Sequence, residues 1–159
     1  MFGILSEEGI EKLLKDQLVA RIGCHANDIT YVLPLSYAYD GTYIYGRTFD
    51  GLKVQMIREN PKICVQVDDI QNLANWRSVI AWGVFEELTD HTQKKEALKV
   101  LTSRSLPIEH SETMELSAHW PFTSESEMDE IKGIVFRIHL LRKTGRFEQH
   151  ASLNGFTYK

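Results

Sequence analysis

Cysteine, long apolar runs and surplus positive charge are all scarce in this chain. Its two cysteines, Cys24 and Cys64, show no Cys-x-x-Cys spacing, and its six histidines form no His-x-x-x-His pair. That excludes a disulfide framework and a zinc site of ordinary ligand spacing, and it reads both thiols as lone packing groups of a reducing compartment. His110, His119 and His139 are read as structural or solvent-facing. Residues 1–6 carry no charged segment leading into an apolar run, and no stretch is long enough to span a bilayer, so the expected location is the cytoplasm. With 18 Lys and Arg against 22 Asp and Glu, the net charge is -4 and no basic stripe exists to displace counterions from nucleic acid. No Gly-x-Ser-x-Gly turn and no Ser, His and Asp grouping points to acyl transfer.

What remains is an ordinary globular composition. At 159 residues, 43% hydrophobic and 25% charged, the chain predicts a single domain over 1–159 with a real core. Ser6 followed by Glu7 and Glu8, with Ile10, Leu13 and Leu14 at helical spacing, predicts a short capped helix over an open barrel end. Extended segments follow at 18–24, 29–39 and 42–45, the last two joined by Asp40-Gly41, a hairpin signal. A helix over 51–60 stops before Pro61, and 62–67 returns to strand with Ile63, Val65 and Val67 on one side. In 78–88 both alternating faces are apolar, Val79, Ala81 and Phe85 against Ile80, Trp82 and Val84, which predicts cover on both sides and a second subunit or helix outside.

A surface helix over 92–101 and a strand over 131–142, with Ile134, Phe136, Ile138 and Leu140 inward, complete the pattern. Between them, 102–130 reads as a long functional or mobile loop, with Trp120, Pro121 and Phe122 set among polar residues and an acidic, solvated run at 124–130. Strands with helices at the ends describe a mainly β (α+β) fold, a six-stranded antiparallel barrel with flanking helices, rather than a βαβ array.

The chemistry concentrates in Tyr43-Ile44-Tyr45-Gly46-Arg47-Thr48-Phe49-Asp50-Gly51-Leu52-Lys53. A strand runs into a glycine-containing turn and then a helix whose first turn holds Lys53. A cation there opposes the helix dipole by roughly 0.3 to 1 kcal/mol unless an anion shares the place. The helix N–H groups, the Thr48 hydroxyl, Arg47 and Lys53 together make a phosphate cradle; the same residues also read as exposed cations on a turn. A nucleotide triphosphate loop is excluded, because Leu52 separates Gly51 from Lys53 and Val54 replaces the required hydroxyl. Pro34, inside the strand of Leu33, Leu35 and Ser36, marks an edge, a bulge or a place where a flat ring could lie. Ser78, after Asn75-Trp76-Arg77, either caps its strand or reaches a heterocycle or its phosphate.

The order of Pro34-Leu35, Tyr43 to Lys53, Asn60-Pro61, the strand from Ile63 and Arg77-Ser78-Val79 through Gly83 resembles the pyridoxamine 5′-phosphate oxidase-related FMN-binding proteins, particularly the nitroimidazole-resistance-like subgroup. The resemblance covers roughly 18–101. It implies a split β-barrel, a homodimer and FMN in the groove between subunits. It further implies that Arg47, Thr48 and Lys53, with Leu52 beside them, hold the phosphate. Leu33, Pro34, Leu35 and Ser36, with Tyr45 and Gly46, would lie along the ring, and Ser78 would add a contact. Three features depart from the pattern. Leu52 stands where the family commonly has a base, so Arg47 must supply the second charge. Gly46 stands where nitroimidazole-resistance proteins carry His. The C-terminal substrate-holding tail of true pyridoxamine phosphate oxidases is absent. The implied activity is a flavin oxidoreductase passing electrons from NADH or NADPH to a small acceptor. Other readings are a non-catalytic flavin-binding or sensing protein, and a split barrel holding haem or deazaflavin.

Overall fold

The computed structural model describes residues 1–104 and 133–150. In chain order these form β1 (Phe2–Ile4), α1 (Glu7–Asp16), β2 (Val19–Ala26), β3 (Ile29–Tyr39), β4 (Tyr43–Thr48), α2 (Leu52–Glu59), β5 (Lys62–Asn72), β6 (Asn75–Glu87), α3 (His91–Thr102) and β7 (Ile134–Gln149). All strand pairs are antiparallel, in the order β1-β7-β4-β3-β2-β5-β6, and β6 also pairs with β7. Six strands therefore close into a ring, with β1 added outside on β7.

Local chemistry explains the turns. Asn27 and Asp28 both take positive φ, 51° and 60°, which joins β2 to β3 by a two-residue turn matched to strand twist. At the next turn Asp40 Oδ1 accepts from the N–H groups of Thr42 and Tyr43, at 2.8 and 2.7 Å, while Gly41 supplies a φ of 103°. α1 starts where expected: the Gly9 N–H donates to Ser6 Oγ at 3.1 Å, and Glu7 and Glu8 occupy its first turn.

The ring is packed inside. Ile22, Ile44, Val65, Val79, Phe136 and Ile138 are almost wholly buried from the strands, and α1 and α2 add Leu13, Leu14, Met56 and Ile57 to the same core. The Tyr37 hydroxyl donates to the Leu14 carbonyl at 2.7 Å, fixing α1 against β3. α3 lies against the other face of the wall, where Leu98 and Leu101 meet Ala38 and Val135.

The ring is also incomplete. β3 pairs with the whole of β2, Val19↔Ser36 through Ala26↔Ile29, but with β4 only at Tyr37↔Gly46, Ala38↔Tyr45 and Tyr39↔Ile44. Beyond Gly46, β4 continues only on β7, to Thr48↔Ile134. The wall therefore opens between Ser36 and Arg47, and the fold is a split β-barrel.

Some strands outrun their sequence signals. β5 and β6 form one long hairpin across Asn72↔Asn75, and β7 continues past Arg142 to Gln149 because β1 and β6 both pair with it there. β1 itself has no sequence signature, being three residues long. The 105–132 stretch, with Trp120, Pro121 and Phe122, lies outside the described residues. The expected double cover of β6 is met on one face only: Val79 and Ala81 are buried, but Ile80, Trp82 and Val84 are 40%, 41% and 37% exposed on the outer face. Among the described residues, no helix is long and apolar enough to cross a membrane.

Gly46 provides a test of the packing. A Cβ there would lie 2.5 Å from Cζ of Phe136, a ring already stacked at 4.8 Å on Phe85. Gly46→Ala should cost roughly 1 to 3 kcal/mol of stability by overpacking, measured by urea unfolding. Adding Phe136→Leu, which opens the contact, should recover part of that loss.

Candidate functional site

The gap in the wall leaves one edge of β3 open. Tyr37 N–H donates to the Leu18 carbonyl, toward β2. In an antiparallel pair successive residues turn their backbone groups to opposite sides. The N–H and C=O of Val32 and Ser36, with the C=O of Pro34, therefore face away from β2, where among the described residues no strand pairs with them. Proline sits where its missing N–H removes a donor from an open edge, the place a sheet tolerates it. The edge reading of Pro34 holds, and it is the edge of the split.

Across the gap lies the start of α2. The Lys53 ammonium donates to Thr48 Oγ1 at 2.6 Å, joining the first turn of the helix to the end of β4. Lys53 is half-buried, and burial holds its pKa below the ordinary lysine value, with the nearby Cys24 pushing weakly the other way. No carboxylate pairs with it among the described residues; its hydrogen-bond partner is a neutral hydroxyl. α2 is also the one described helix with no capping side chain at its N-terminus: α1 has Ser6 and α3 has Asp90, but Gly51 offers nothing and no acid occupies the first turn of α2. A Cβ built on Gly51 meets no atom within 4 Å, so space stands open before the helix. A half-buried cation, a hydroxyl and free helix N–H groups form a donor set suited to an anion.

Arg47 takes a different position. It alternates with Thr48 on β4 and so leaves from the opposite face, where it is 7% exposed with its guanidinium 5.5 Å from the Phe49 ring centroid. Burial pushes its pKa down. The structure thus joins Thr48 and Lys53, and places Arg47 on the α3 side of the same strand.

The remaining residues divide by face. Leu35 is buried in the core, while Leu33 and Ser36 are half-buried and Pro34 exposed on β3. Tyr45 donates to Asp40 Oδ2 at 2.8 Å, and burial followed by that bond pushes its pKa up to about 12, so it stays protonated. Gly46 faces Phe136, and Leu52 is 56% exposed at the helix start. Ser78 accepts from Gln66 Nε2 at 3.1 Å on β6. In the sheet order β6 is three strands from β3, roughly 14 Å at ordinary strand spacing. One chain therefore sets Ser78 apart from Ser36, and no hydrogen bond joins it to Lys53 among the described residues.

Sequence reasoning missed the groove on the outer wall. Gly23, His25, Thr30, Val32, Cys64, Trp82, Val84 and Leu141 line a shallow hollow of about 460 Å³. Gly23 keeps it open, since a Cβ there would meet Cys64 Sγ at 2.9 Å. Cys64 faces this hollow, whereas Cys24 is buried inside the ring; the thiols occupy opposite faces of the wall. Period-two alternation around Cys64 carried that signal. No group of three or more metal-binding side chains occurs among the described residues.

Comparison with known proteins agrees with this architecture. A family model described as pyridoxamine 5′-phosphate oxidase matches residues 6–146. An uncharacterized protein of Rhizobium meliloti (strain 1021) is 29% identical over 85 residues, covering 54% of this chain and 56% of that relative. The match thus spans little more than half the relative's length. Of solved structures, a FAD-binding protein from Mesorhizobium loti superposes with a TM-score of 0.71 at 28% identity, over 94% of this chain and 99% of that one. A FAD-binding protein from Mycobacterium smegmatis shares the fold, with a TM-score of 0.63 at 21% identity over 91% and 98% of the two chains.

The depressed pKa of Lys53 has a measurable consequence. Between that lowered value and the ordinary lysine value the unfolded chain holds the extra proton, so stability rises with pH across this window. Urea midpoints of the ligand-free protein should therefore rise from pH 7 to 10 relative to those of Lys53→Met. Parallel pH curves for the two proteins would contradict the buried cation.

Proposed function

We propose that this chain, which belongs to the pyridoxamine 5′-phosphate oxidase family, binds FMN at the split in its barrel and passes electrons from a reduced nicotinamide to a small acceptor. One observation carries the reading: the Lys53 ammonium, half-buried at an uncapped helix start, has the Thr48 hydroxyl and, among the described residues, no carboxylate for company. A phosphate supplies the missing charge. Thr48, Lys53 and the first N–H groups of α2 hold it, and Arg47 adds positive charge from the far side of β4. The open edge of β3 at Val32, Pro34 and Ser36 offers backbone donors and acceptors to the heterocycle. The description of the Mesorhizobium loti neighbour as FAD-binding supports a flavin. Bound flavin would accept and donate hydride at its ring, and the residues here would bind and orient it.

The outer wall supports a homodimer as part of the same reading. Trp82, Val84, Val32 and Leu141 expose an apolar surface around the groove, and such a patch on a small domain marks an interface. A second subunit would also bring its own Ser78 toward a ligand at the β3 edge, from which Ser78 of the first is set apart.

Titration of the apoprotein with FMN, FAD and riboflavin tests the cofactor. FMN should bind most tightly, and Lys53→Ala should weaken FMN by about 1.5 to 3 kcal/mol, roughly ten- to a hundredfold, with little change for riboflavin. Equal affinity for FMN and riboflavin would remove the phosphate grip, and tighter FAD binding would replace FMN. The absorption spectrum of the purified protein separates flavin from haem and deazaflavin. Oxidation of NADH or NADPH with added acceptors separates an enzyme from a flavin-storing or sensing protein. If the groove is shared, dilution should release subunits and FMN together. Light scattering that shows a monomer with full FMN would defeat the dimer and leave the grip standing.

A further inference from the structure

The start of α2 has a natural anion of its own in Asp50, which stands immediately before the N-cap Gly51. A carboxylate beside a helix start is favoured by the dipole when it lies over the first-turn N–H groups. Here it is directed elsewhere. Oδ1 accepts from the Gly51 N–H at 2.9 Å, and Oδ2 accepts from Arg58 Nη1 at 3.2 Å. Arg58, in the last turn of the same helix, is itself held by Glu87 at the end of β6, with Nε donating to Oε2 at 3.1 Å and Nη2 to Oε1 at 3.0 Å. That two-pronged contact fixes the guanidinium plane and ties the turn before α2 to a strand on the far side of the helix.

We propose that Arg58, anchored on Glu87, is a positioning residue that holds Asp50 off the start of α2 and so keeps that helix end open for the ligand's phosphate. The inference rests on the phosphate reading above and adds a competitor inside the protein. With Arg58 in place, the Asp50 charge is paired with the guanidinium and makes no ion pair with Lys53 among the described residues. Without Arg58, an unpaired carboxylate one residue from the helix competes for the same N–H groups and repels the incoming anion. At separations of several ångströms near a surface, such a charge alters anion affinity by roughly three- to tenfold.

The test compares FMN with riboflavin in four variants of the full chain, with inorganic phosphate as a second probe by thermal shift. Arg58→Ala should weaken FMN three- to tenfold, reduce stabilisation by phosphate and leave riboflavin unchanged. Adding Asp50→Asn should restore FMN binding, because the competitor's charge is gone, and Asp50→Asn alone should bind FMN at least as well as the wild type. Glu87→Gln keeps Arg58 but loosens its anchor, and should give a smaller loss of the same kind even if Arg58→Ala folds poorly. A merely structural Arg58 would weaken FMN and riboflavin alike, or would not be rescued by Asp50→Asn; either result overturns the inference. The underlying reading fails separately, when Lys53→Ala treats FMN and riboflavin alike.

Discussion

The structure turns on the parting of β3 and β4 after three rungs. β7 is the longest described strand and serves three neighbours, β4 at its start, β1 near its end and β6 along most of its length. To close the ring, β4 must follow β7, and beyond Gly46 it can no longer follow β3. Everything at the candidate site descends from that choice. The β3 edge is left open, Pro34 is tolerated on it, and the chain leaving β4 has room to turn through Asp50-Gly51 and start a helix facing the gap. A barrel with complete pairing would have covered the same backbone groups and left no place for a helix start in the wall.

The electrostatics follow from the same geometry. Burying half of a lysine is unfavourable unless an opposite charge accompanies it, and several other cations of this chain are met by carboxylates. Arg21 pairs with Asp68, Arg77 with Asp69, Arg137 with Glu86 and Lys143 with Glu11. Lys53, more deeply placed than most of these, sits beside a hydroxyl, and the carboxylate next to its helix is drawn away by Arg58. Among the described residues no carboxylate pairs with Lys53, and an anionic ligand is the partner the proposed site would give it.

Much of this was legible in the residues, and the limits have physical causes. The alternation of Val79, Ala81 and Phe85 against Ile80, Trp82 and Val84 gave the strand and its two apolar faces, and Ser6, Glu7 and Glu8 gave the start of α1. Lys53 was legible because a cation in a first helical turn contradicts the dipole, and Thr48 and Arg47 were read with it as one group. Arg47 and Thr48 are adjacent on a strand and so point to opposite faces, and the sequence alone did not show which side of the wall each would take. The true ends of β5, β6 and β7 were not legible, because strands lengthen wherever a partner exists, and partners such as β1 come from distant sequence. The Gly46 position was readable as a departure from the pattern, but its reason is tertiary: the Phe136 ring occupies the space where a side chain would stand.

The packed interior finally constrains where any cofactor can sit. Tyr37, Phe136, Leu13, Ile22 and Ile44 are almost wholly buried and fill the ring, so the barrel is a core and not a container. A flavin held here must lie on the wall, at the split and over the outer face. A flat wall covers one side of a planar ligand, whereas sites for such ligands commonly bury 70–90% of their surface. The second cover has to come from outside the described wall. The apolar outer face of β6, with Leu141 raised beside it by the register shift at Trp82 and Gly83, is the surface on which a second copy would rest. On this reading the exposure of Ile80, Trp82 and Val84 is not a fault in an otherwise regular strand. These residues form the apolar face that the proposed dimer would cover.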